Sequence, residues 1–268
     1  MKISIITVVY NNEATISSAI ESVLAQTYTN LEYIIVDGGS TDGTIERIRS
    51  YADRIDILIS EPDKGMYDAM NKGLAKATGD VICILNSDDL YPHAHIIEQV
   101  VKEFDRTGCD AVYGDLVYVT CTDVDCVTRY WKSGSCSSES FKYGWMPPHP
   151  AFFVKKSVYD RYGHFNTKLK SAADYELMLR FAYKNKINLS YIPQVLVKMR
   201  TGGLSNFSLR NRLMANREDR AAWQLNGLKP YVFTFYLKPL RKVVQYFQRP
   251  EPDSRILIKR FVYIRIFR

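Results

Sequence analysis

Val81-Ile82-Cys83-Ile84-Leu85-Asn86-Ser87-Asp88-Asp89 is a short apolar run that ends in two adjacent carboxylates. An apolar run rich in β-branched residues is typical of a strand that is buried on both faces, as in a parallel sheet. Open α/β sheets bind ligands at the carboxyl ends of their strands, so we expect Asp88 and Asp89 to lie beside a ligand. Two carboxylates suit Mg²⁺ or Mn²⁺, which in turn binds phosphates. Alternatively, the pair caps the next helix, as Asp often does.

Similar apolar runs precede this one and alternate with helical patterns. The predicted strands cover residues 3–10, 31–36, 55–60 and 81–85, and the predicted helices between them cover residues 13–26, 45–51 and 66–77. Such β-α alternation predicts an α/β fold with a parallel, right-handed, doubly wound sheet that is flanked by helices.

The pattern changes after Asp89. We predict helices at 96–106, 157–162 and 175–185, and strands at 111–115, 116–120, 151–154 and 191–199, the last broken at Pro193. Residues 121–148 are polar and aromatic without a regular period, which predicts irregular structure.

Charge is distributed unevenly along the chain, whose net charge is +7. Residues 206–268 contain 14 Lys and Arg against 4 Asp and Glu, and residues 1–205 contain the other 22 and 25. This asymmetry suggests a nucleic acid or an anionic membrane as the partner of the basic segment. Residues 206–228 read as a polar helix, and residues 255–268 hold five cations among apolar residues. The latter segment fits one that lies on anionic lipid.

Cysteine usage and hydropathy exclude several protein classes. The five cysteines include one close pair, Cys121 and Cys126, with no nearby His, which is a poor zinc pattern and favours reduced thiols. The apolar start ends at Asn11-Asn12 without a small-residue cleavage site, so we expect no signal peptide. No run approaches the roughly 20 apolar residues that span a bilayer.

Asp37 ends the second predicted strand and precedes the turn Gly38-Gly39-Ser40-Thr41-Asp42-Gly43-Thr44. Backbone N–H groups of such a turn can face an anion or a ligand edge. The turn lacks the Gly-Lys-Ser/Thr of a phosphate-binding Walker loop and the Gly-x-Gly-x-x-Gly of a dinucleotide site. Asp37 could accept hydrogen bonds from a base or a ribose, or the stretch could simply form a turn.

Residues 61–73 form an unusually polar passage from the third strand into its helix. Asp68 and Asn71 lie one helical turn apart and therefore share a face. Asp63 fits a helix cap.

Four stretches, in this order and spacing, resemble family 2 glycosyltransferases of the GT-A fold, with colanic-acid, O-antigen and capsule sugar transferases as the nearest types. They are Thr7-Val8-Val9-Tyr10-Asn11, Val36-Asp37-Gly38-Gly39-Ser40-Thr41-Asp42-Gly43-Thr44, Gly65-Met66-Tyr67-Asp68-Ala69-Met70-Asn71-Lys72-Gly73 and Leu85-Asn86-Ser87-Asp88-Asp89. The resemblance covers roughly residues 1–200. It implies a metal-dependent, inverting transfer of sugar from a nucleotide-sugar.

The resemblance implies a donor site at the strand ends. Asp37 matches the aspartate that holds the nucleotide base, usually uracil, and Thr7, Tyr10 and Glu13 match the first donor-binding loop. Asn86-Ser87-Asp88 matches the metal-binding DxD motif with Asn at its first position. Asp88 is then the ligand of Mn²⁺ or Mg²⁺, with Asp89 as the weaker candidate. Asp68 and Asn71 are also expected at the donor.

Inverting transfer is a single displacement, so the acceptor hydroxyl must lose a proton as it attacks. Asp174 matches the acidic residue that serves as the family's catalytic base ahead of a Leu-Arg helix. Ala173 stands where a second acidic residue usually precedes it. Asp174 could also cap that helix, and both roles can coexist. Glu176 is the alternative base.

Four further residues are candidates for ligand contacts. His149 could lie near the donor phosphates or be structural. Arg200 begins a loop, Arg200-Thr201-Gly202-Gly203-Leu204-Ser205, that could close over the diphosphate. Tyr143 and Trp145 could stack on an acceptor sugar or pack in the core.

We therefore expect a GT-A domain at residues 1–205, with a nucleotide-sugar-binding half at 1–90 and an acceptor and catalytic half at 91–205, followed by a basic, amphipathic extension at 206–268. The expected partners are a nucleotide-sugar, a glycan or lipid-linked acceptor of cell-surface polysaccharide synthesis, and an anionic membrane surface bound through residues 230–268, without nucleic acid. The expected location is cytoplasmic, on the inner face of the membrane. The alternatives are a sugar-phosphate nucleotidyltransferase and a non-catalytic membrane or nucleic-acid adaptor.

Overall fold

The computed structural model of the protein describes residues 1–135, 137–202, 209–250 and 260–261. In its first half, β1 (Ile3–Val9), β2 (Leu31–Asp37), β3 (Ile57–Ser60) and β4 (Val81–Ile84) alternate with α1 (Glu13–Leu24), α2 (Thr44–Arg49) and α3 (Met66–Lys76). These strands pair in parallel in the order β3-β2-β1-β4. A short 3-10 helix, Ala52–Arg54, precedes β3. The predicted parallel α/β sheet is confirmed.

Both faces of this sheet are covered, which explains why β1 and β4 read as continuous apolar runs. On one face, Ile3, Ile5 and Ile35 pack with Ile16, Ile20 and Val23 of α1. On the other, Ile6, Ile34 and Val36 pack with Ala69, Met70 and Leu74 of α3. Helix α3 lies so close to β1 that a Cβ at Gly73 would stand 2.5 Å from Ile6 Cγ2.

The second half extends the sheet with antiparallel strands. Its elements are β5 (Asp89–Leu90), α4 (Ile96–Thr107), β6 (Ala111–Val119), β7 (Cys126–Trp131), β8 (Phe152–Lys155), α5 (Lys156–Tyr162), α6 (Ala173–Met178), a π-helix at Leu179–Lys184 and β9 (Leu189–Arg200), with 3-10 helices at Ser138–Tyr143 and His149–Ala151. Strand β8 runs antiparallel to both β4 and β6, and β6 runs parallel to β9. The mixed sheet therefore passes through β4 into the second half.

Several predicted boundaries in this half are wrong. Strand β7 lies in the stretch predicted to be irregular, where Thr128 and Arg129 interrupt the apolar period. The strands predicted at 111–115 and 116–120 form one strand, β6, whose nine residues are all buried, so no period marks them. Strand β9 continues through Pro193, because the proline lies at a shift of register against β6 and needs no partner for its missing N–H.

The chain after residue 205 contributes α7 (Leu209–Leu225), α8 (Thr234–Val244) and a two-residue strand, β10 (Arg260–Phe261), which pairs with β7. Trp223 of α7 is fully buried, and its indole N–H donates to the Tyr175 hydroxyl at 2.9 Å. The helix predicted at 206–228 is therefore present as α7, and it packs against α6. Most of the predicted interfacial segment 255–268 lies outside the described residues.

Within the described ranges, no helix combines the length and the apolar character needed to span a bilayer. Cys83, Cys109, Cys121 and Cys126 are free thiols, and Cys136 lies outside the described residues.

Candidate active site

The loop after β1 joins the carboxyl ends of its two neighbouring strands. Asn11 adopts a left-handed backbone with φ of 48°, and its side-chain oxygen accepts from the Thr41 N–H at 2.8 Å. The next side chain, Asn12, donates to the Ser87 hydroxyl at 2.8 Å. Because Ser87 follows β4 and Thr41 follows β2, these two asparagines hold the predicted donor motifs at one edge of the sheet. Asn12 was predicted only to end the strand, and Asn11 also entered as the last residue of the first family-like stretch.

Asp37 lies at the end of β2, and its carboxylate is oriented by serines. Its oxygens accept from the Ser40 hydroxyl and, at 2.7 Å, from the Ser60 hydroxyl. Asp37 has no exposed surface, so a ligand can reach it only if neighbouring side chains shift.

Tyr10 and Asp63 lie beside Gly38, the residue that follows Asp37. Tyr10 is 61% exposed. A Cβ at Gly38 would clash with the Asp63 carboxylate and would stand 3.4 Å from the Tyr10 ring. Asp63 also accepts from the Gly65 N–H at 2.7 Å. Gly65 is itself the N-cap of α3 and no side chain caps this helix, so the predicted capping role of Asp63 is wrong. Tyr10, unlike Asp37, is open to a planar ligand as the structure stands.

Glu13 lies at the start of α1. Its carboxylate forms a 3.3 Å ion pair with Arg47, and both side chains are well exposed. They line an open cavity of about 500 Å³ with Asn11 and Asp42. Asp37, Asp88 and Asp174 do not line this cavity.

A cluster of charged groups occupies the carboxyl end of β4. Arg200 donates from Nη1 to the Asp88 backbone oxygen at 2.8 Å and from Nη2 to the Ser18 hydroxyl at 2.9 Å. Asn86 donates to Asp89 Oδ2 at 2.8 Å. Three polar atoms of this cluster, Asn86 Oδ1, Asp89 Oδ1 and Arg200 Nε, are buried and have no hydrogen-bond partner among the described residues. Such atoms are costly in a folded protein, which indicates a site built for a ligand.

Burial disturbs the ionisation of this cluster. Burial raises the pKa of Asp88, and burial together with the charge of Asp88 raises the pKa of Asp89 well above its usual value. Burial also lowers the pKa of Arg200, against the pull of both carboxylates. Buried like charges favour the arrival of a compensating cation. Arg200 is 8% exposed and anchors strand ends, and the predicted closing loop continues through 203–205, outside the described residues.

The cluster fits a hard divalent cation. Asp88, Asp89 Oδ1 and Asn86 Oδ1 are oxygen donors of the kind that Mg²⁺ and Mn²⁺ prefer. In the described ranges, no group of three or more His, Cys, Asp or Glu side chains is arranged to hold a metal. A cation here would need further oxygens, which phosphates commonly supply.

Asp174 lies in the first turn of α6 and accepts a hydrogen bond from the Tyr67 hydroxyl at 3.1 Å. Burial, and then the charge of Asp174, raise the pKa of Tyr67, which keeps its hydroxyl protonated and donating. Tyr67 belongs to the first turn of α3, which begins at the carboxyl edge of the sheet. This bond therefore brings Asp174 towards the edge where Asp37 and Asp88 lie.

Other predicted donor contacts hold the protein together. Asn71 forms two hydrogen bonds with the Phe165 backbone, of 2.9 and 3.0 Å, and Asp68 accepts from the Lys64 N–H at 3.0 Å. Thr7 is fully buried, with its hydroxyl 3.2 Å from that of Tyr33. All three side chains are thus engaged in contacts within the protein, and their role at the donor stays a prediction.

Tyr67 is the residue that sequence reasoning missed. It precedes Asn71 by four positions and so shares its helix face, and both side chains reach the acceptor half. The spacing of four residues between Tyr67 and Asn71 indicated a shared face, but the prediction named Asp68 because it is charged.

His149 is 8% exposed and packs its ring edge-on against Phe165, with centroids 5.5 Å apart. Burial lowers its pKa, against the charge of Asp174. It is therefore a neutral imidazole near the candidate base. Trp145 is buried and donates to the Ser133 backbone oxygen at 2.9 Å, so it packs in the core, whereas Tyr143 is 46% exposed.

Glu176 is committed to structural contacts. Its carboxylate pairs with Arg180 at 3.0 Å and accepts from Asn226 of α7 at 3.0 Å. The side chain is 4% exposed. Its role as alternative base is thus disfavoured, because both oxygens are already engaged.

Helix α7 also fixes the loop before Asp174. Glu218 accepts hydrogen bonds from the backbone N–H groups of Lys170, Ser171 and Ala172, at 3.0, 2.7 and 3.1 Å. No local pattern in the sequence indicates this contact, because its partners are 46–48 positions apart.

Comparisons with known proteins identify the family. The model of the family described as glycosyl transferase family 2 matches residues 4–173. A PGL/p-HBAD biosynthesis glycosyltransferase of Mycobacterium bovis (strain BCG / Pasteur 1173P2) is 27% identical over 208 residues, covering 76% of this chain and 78% of the relative. Glycosyltransferase AglE of Haloferax volcanii is 30% identical over 178 residues, covering 64% of this chain and 58% of the relative.

Solved structures agree on the fold. TarS of S. aureus in complex with UDP-GlcNAc superposes with a TM-score of 0.67 at 19% identity, covering 84% of this chain and 65% of that one. Mannosyltransferase PcManGT of Pyrobaculum calidifontis, in complex with GDP-Man and Mn²⁺, gives a TM-score of 0.63 at 20% identity, covering 91% and 69%. The nucleotidyltransferase and adaptor alternatives find no support in these matches. The chain belongs to glycosyl transferase family 2 and is a glycosyltransferase with the GT-A fold.

Proposed function

We propose that the protein transfers a sugar, with inversion, from a nucleotide-sugar to a hydroxyl of a glycan or lipid-linked acceptor, in a metal-dependent reaction of cell-surface polysaccharide synthesis. The observation that carries this proposal is the buried cluster of Asp88, Asp89 and Arg200 at the carboxyl end of β4. Its unpartnered oxygens suit a cation that bridges the protein to phosphates.

The donor is a nucleoside diphosphate sugar, with UDP as the first candidate. Tyr10 offers an exposed ring for the base, and Asp37 and the backbone of the Gly38-Gly39 turn lie next to it. Similar structures bind UDP-GlcNAc in one case and GDP-Man with Mn²⁺ in another, which supports the donor class and leaves both nucleotides to be tested.

Asp88 would hold Mn²⁺ or Mg²⁺, with Asp89 or Asn86 as a further ligand. The bound ion would supply Lewis-acid stabilisation of the leaving diphosphate. Arg200 Nε, which is buried beside these residues, can donate to a phosphate oxygen if the diphosphate approaches.

Asp174 acts as the general base. It takes the proton of the acceptor hydroxyl, whose oxygen attacks the anomeric carbon while the bond from that carbon to the diphosphate breaks. Tyr67 orients the carboxylate through its hydrogen bond. The nearby His149 is neutral, so it does not form an ion pair with the Asp174 carboxylate.

The acceptor side faces the described C-terminal helices. Lys238 of α8 lies 3.6 Å from the ring centroid of Tyr175, the residue after Asp174. A lipid-linked acceptor, reached from the inner leaflet by a cytoplasmic protein on the membrane surface, fits the basic character of residues 206–268.

A thermal-shift experiment with nucleoside diphosphates tests the donor and metal assignments. We expect UDP or GDP to raise the melting temperature of the protein in the presence of Mn²⁺ and to have little effect with a chelator. Hydrolysis of UDP- and GDP-sugars then identifies the donor. Stabilisation by a diphosphate that is equal with and without metal would contradict the metal assignment.

Asp88→Ala should abolish the metal-dependent shift and reduce turnover by at least about a hundredfold, since a metal ligand is lost. Asp53→Ala, at an exposed aspartate of the 3-10 helix before β3, is the matched control and should behave as the unmodified protein.

A further inference from the structure

Three polar side chains of helix α8 anchor it to the rest of the protein. Thr234 donates to the Lys142 backbone oxygen, Lys238 forms a 2.7 Å ion pair with Asp219, and Arg241 donates to the Tyr143 backbone oxygen at 3.0 Å. These positions recur at helical spacing and so define the inner face of the helix. Polar anchors fix this face against the 3-10 helix Ser138–Tyr143 and against α7.

The docking of α8 is tight, so the orientation of its outer face is defined. Gly144 has a φ of +72°, and a Cβ there would stand 2.5 Å from the Lys238 backbone nitrogen. At the end of the helix, the Tyr130 N–H donates to the Gln245 backbone oxygen at 3.0 Å.

The outer face of α8 carries large apolar side chains. Tyr236, Leu240 and Val244 follow one another at intervals of four residues, and Phe247 continues the stripe just beyond the helix. Their exposed fractions are 64%, 59%, 52% and 67%. Leu240 and Val244 line a groove of about 370 Å³ with Tyr143. A surface helix normally buries its apolar stripe, whereas α8 leaves this stripe exposed.

An aromatic cluster extends this surface at the start of the helix. The ring of Tyr143 lies 5.8 Å from that of Tyr231 and 6.0 Å from that of Phe233, and all three side chains are partly exposed. Val232, between the last two, is 88% exposed. Exposed apolar surface that continues over a helix and its flanking loop marks an interaction site.

Charge decides which occupant fits this surface. From Arg220 to Pro250 the chain contains six cations and no Asp or Glu. Lys229 and Lys242 are exposed. Exposed apolar and aromatic side chains in a segment this rich in cations match the interface of an anionic bilayer.

We propose that the outer face of α8, with Val232 and the Tyr143 cluster, is a docking surface for anionic lipid, into which Leu240, Val244 and Phe247 insert. The opposite, inner side of the same helix contacts the residue after the candidate base, because Lys238 lies 3.6 Å from the ring centroid of Tyr175. Docking would therefore hold the helix that packs beside Tyr175 at the membrane surface. The binding itself does not depend on the proposed transfer reaction.

Flotation of the full chain with vesicles tests the proposal. We expect binding to vesicles of phosphatidylcholine with phosphatidylglycerol, and much weaker binding to phosphatidylcholine alone or at high salt. The double variant Leu240→Gln/Phe247→Gln should lower the partition coefficient at least about tenfold, since two inserted side chains are lost. Lys229→Gln/Lys242→Gln should lower it by about an order of magnitude on anionic vesicles only.

Leu58→Gln is the matched control, because Leu58 is an exposed apolar residue on β3, at the other end of the sheet from β7, to which α8 is bonded. If the double variant does not fold, Val232→Asp in the loop before α8 removes insertion without touching the helix. Both are checked by circular dichroism.

Four outcomes would overturn the proposal. They are no binding of the unmodified protein to anionic vesicles, equal binding by the double variant, loss of binding on deletion of residues 251–268 alone, and a dimer in solution that the double variant dissociates. The last two would assign the lipid contact to the C-terminal residues and the α8 face to a second copy. The vesicle experiment contains no nucleotide-sugar, so a negative result would contradict lipid docking and would not bear on the proposed transfer reaction.

Discussion

At the scale of single residues, the bond between Tyr67 and Asp174 links the donor half to the candidate base. Tyr67→Phe keeps the ring, which stacks on Phe165 at 5.7 Å, but removes the donated hydrogen bond. Because a hydrogen bond to a charged group contributes about 1.5–3 kcal/mol, we expect kcat to fall about tenfold to a hundredfold with little change in KM for the donor.

Steady-state kinetics with a soluble acceptor measure this effect. Tyr28→Phe, which removes a hydroxyl that bonds to the Met1 backbone oxygen far from the site, is the control. A rise in KM at unchanged kcat would show that Tyr67 serves binding and does not orient the base.

His149 gives the folded protein a sensitivity to mild acid. Burial keeps its pKa below the ordinary value of 6.5 in the folded state. As pH falls through about 6.5, the unfolded chain binds a proton that the folded chain does not, so the free energy of unfolding decreases. We expect His149→Gln to lose less stability over this range.

Urea denaturation of both proteins above and below pH 6.5 measures the difference in slope. Parallel slopes would mean that His149 is readily protonated in the folded state.

Asp89 is a second residue whose burial carries a cost. Its pKa is raised by burial and by Asp88, so at neutral pH its ionised form destabilises the folded protein. Asp89→Asn should therefore melt at a higher temperature than the unmodified protein without metal, and should gain less from Mn²⁺ with a nucleoside diphosphate. Differential scanning calorimetry checks both effects, and a lower melting temperature without metal would contradict this account.

At the scale of elements, α7 supports the loop that leads to Asp174. Glu218→Gln replaces a carboxylate that accepts from three backbone N–H groups by an amide whose NH₂ faces one of them. Hydrogen bonds to charged groups contribute about 1.5–3 kcal/mol, so we expect a lower melting temperature and a lower kcat, with donor binding retained.

Glu46→Gln, on the exposed side of α2, is the control for this substitution. Unchanged turnover with lowered stability would restrict Glu218 to a structural role.

The sequence predicted helices and strands best where a single apolar pattern, either a continuous run or a helical period, determines the element. Strands β1 and β2 and helices α1, α3 and α4 follow from apolar runs and helical periods. Strand β7 did not follow, because its Thr128 and Arg129 are placed by pairing with β6 and not by a period of their own. The strand-end acids Asp37 and Asp88 follow from the position of strand ends in parallel sheets. Glu218 acts through a long-range contact that no local pattern reveals, and Tyr67 was marked only by its helical spacing with Asn71.

At the scale of the whole molecule, the packed core continues past residue 205. Trp223 is fully buried in the core that contains Tyr175 and Phe181, and Asn226 bonds to the buried Glu176. A chain that ends at residue 205 should therefore lose cooperative unfolding, since removing a buried Trp alone costs about 3–5 kcal/mol. A chain that ends at residue 250 keeps α7 and α8 and should melt close to the full chain.

Circular dichroism and thermal melting of the two truncated chains decide this point. A cooperative transition in the chain that ends at 205 would restore the division that the charge pattern suggested.

The two hydrogen bonds between the Asn71 side chain and the Phe165 backbone have a consequence for engineered chimaeras. Exchanging the first ninety or so residues for those of a relative, in order to change donor preference, would bring in a new α3 that must recognise an old partner loop. Residues 67 and 71 would therefore have to travel together with the segments around 165 and 174, and residue 88 with 200. A change of donor preference would therefore require exchanging both members of each contacting pair, and exchanging one contiguous segment would not suffice.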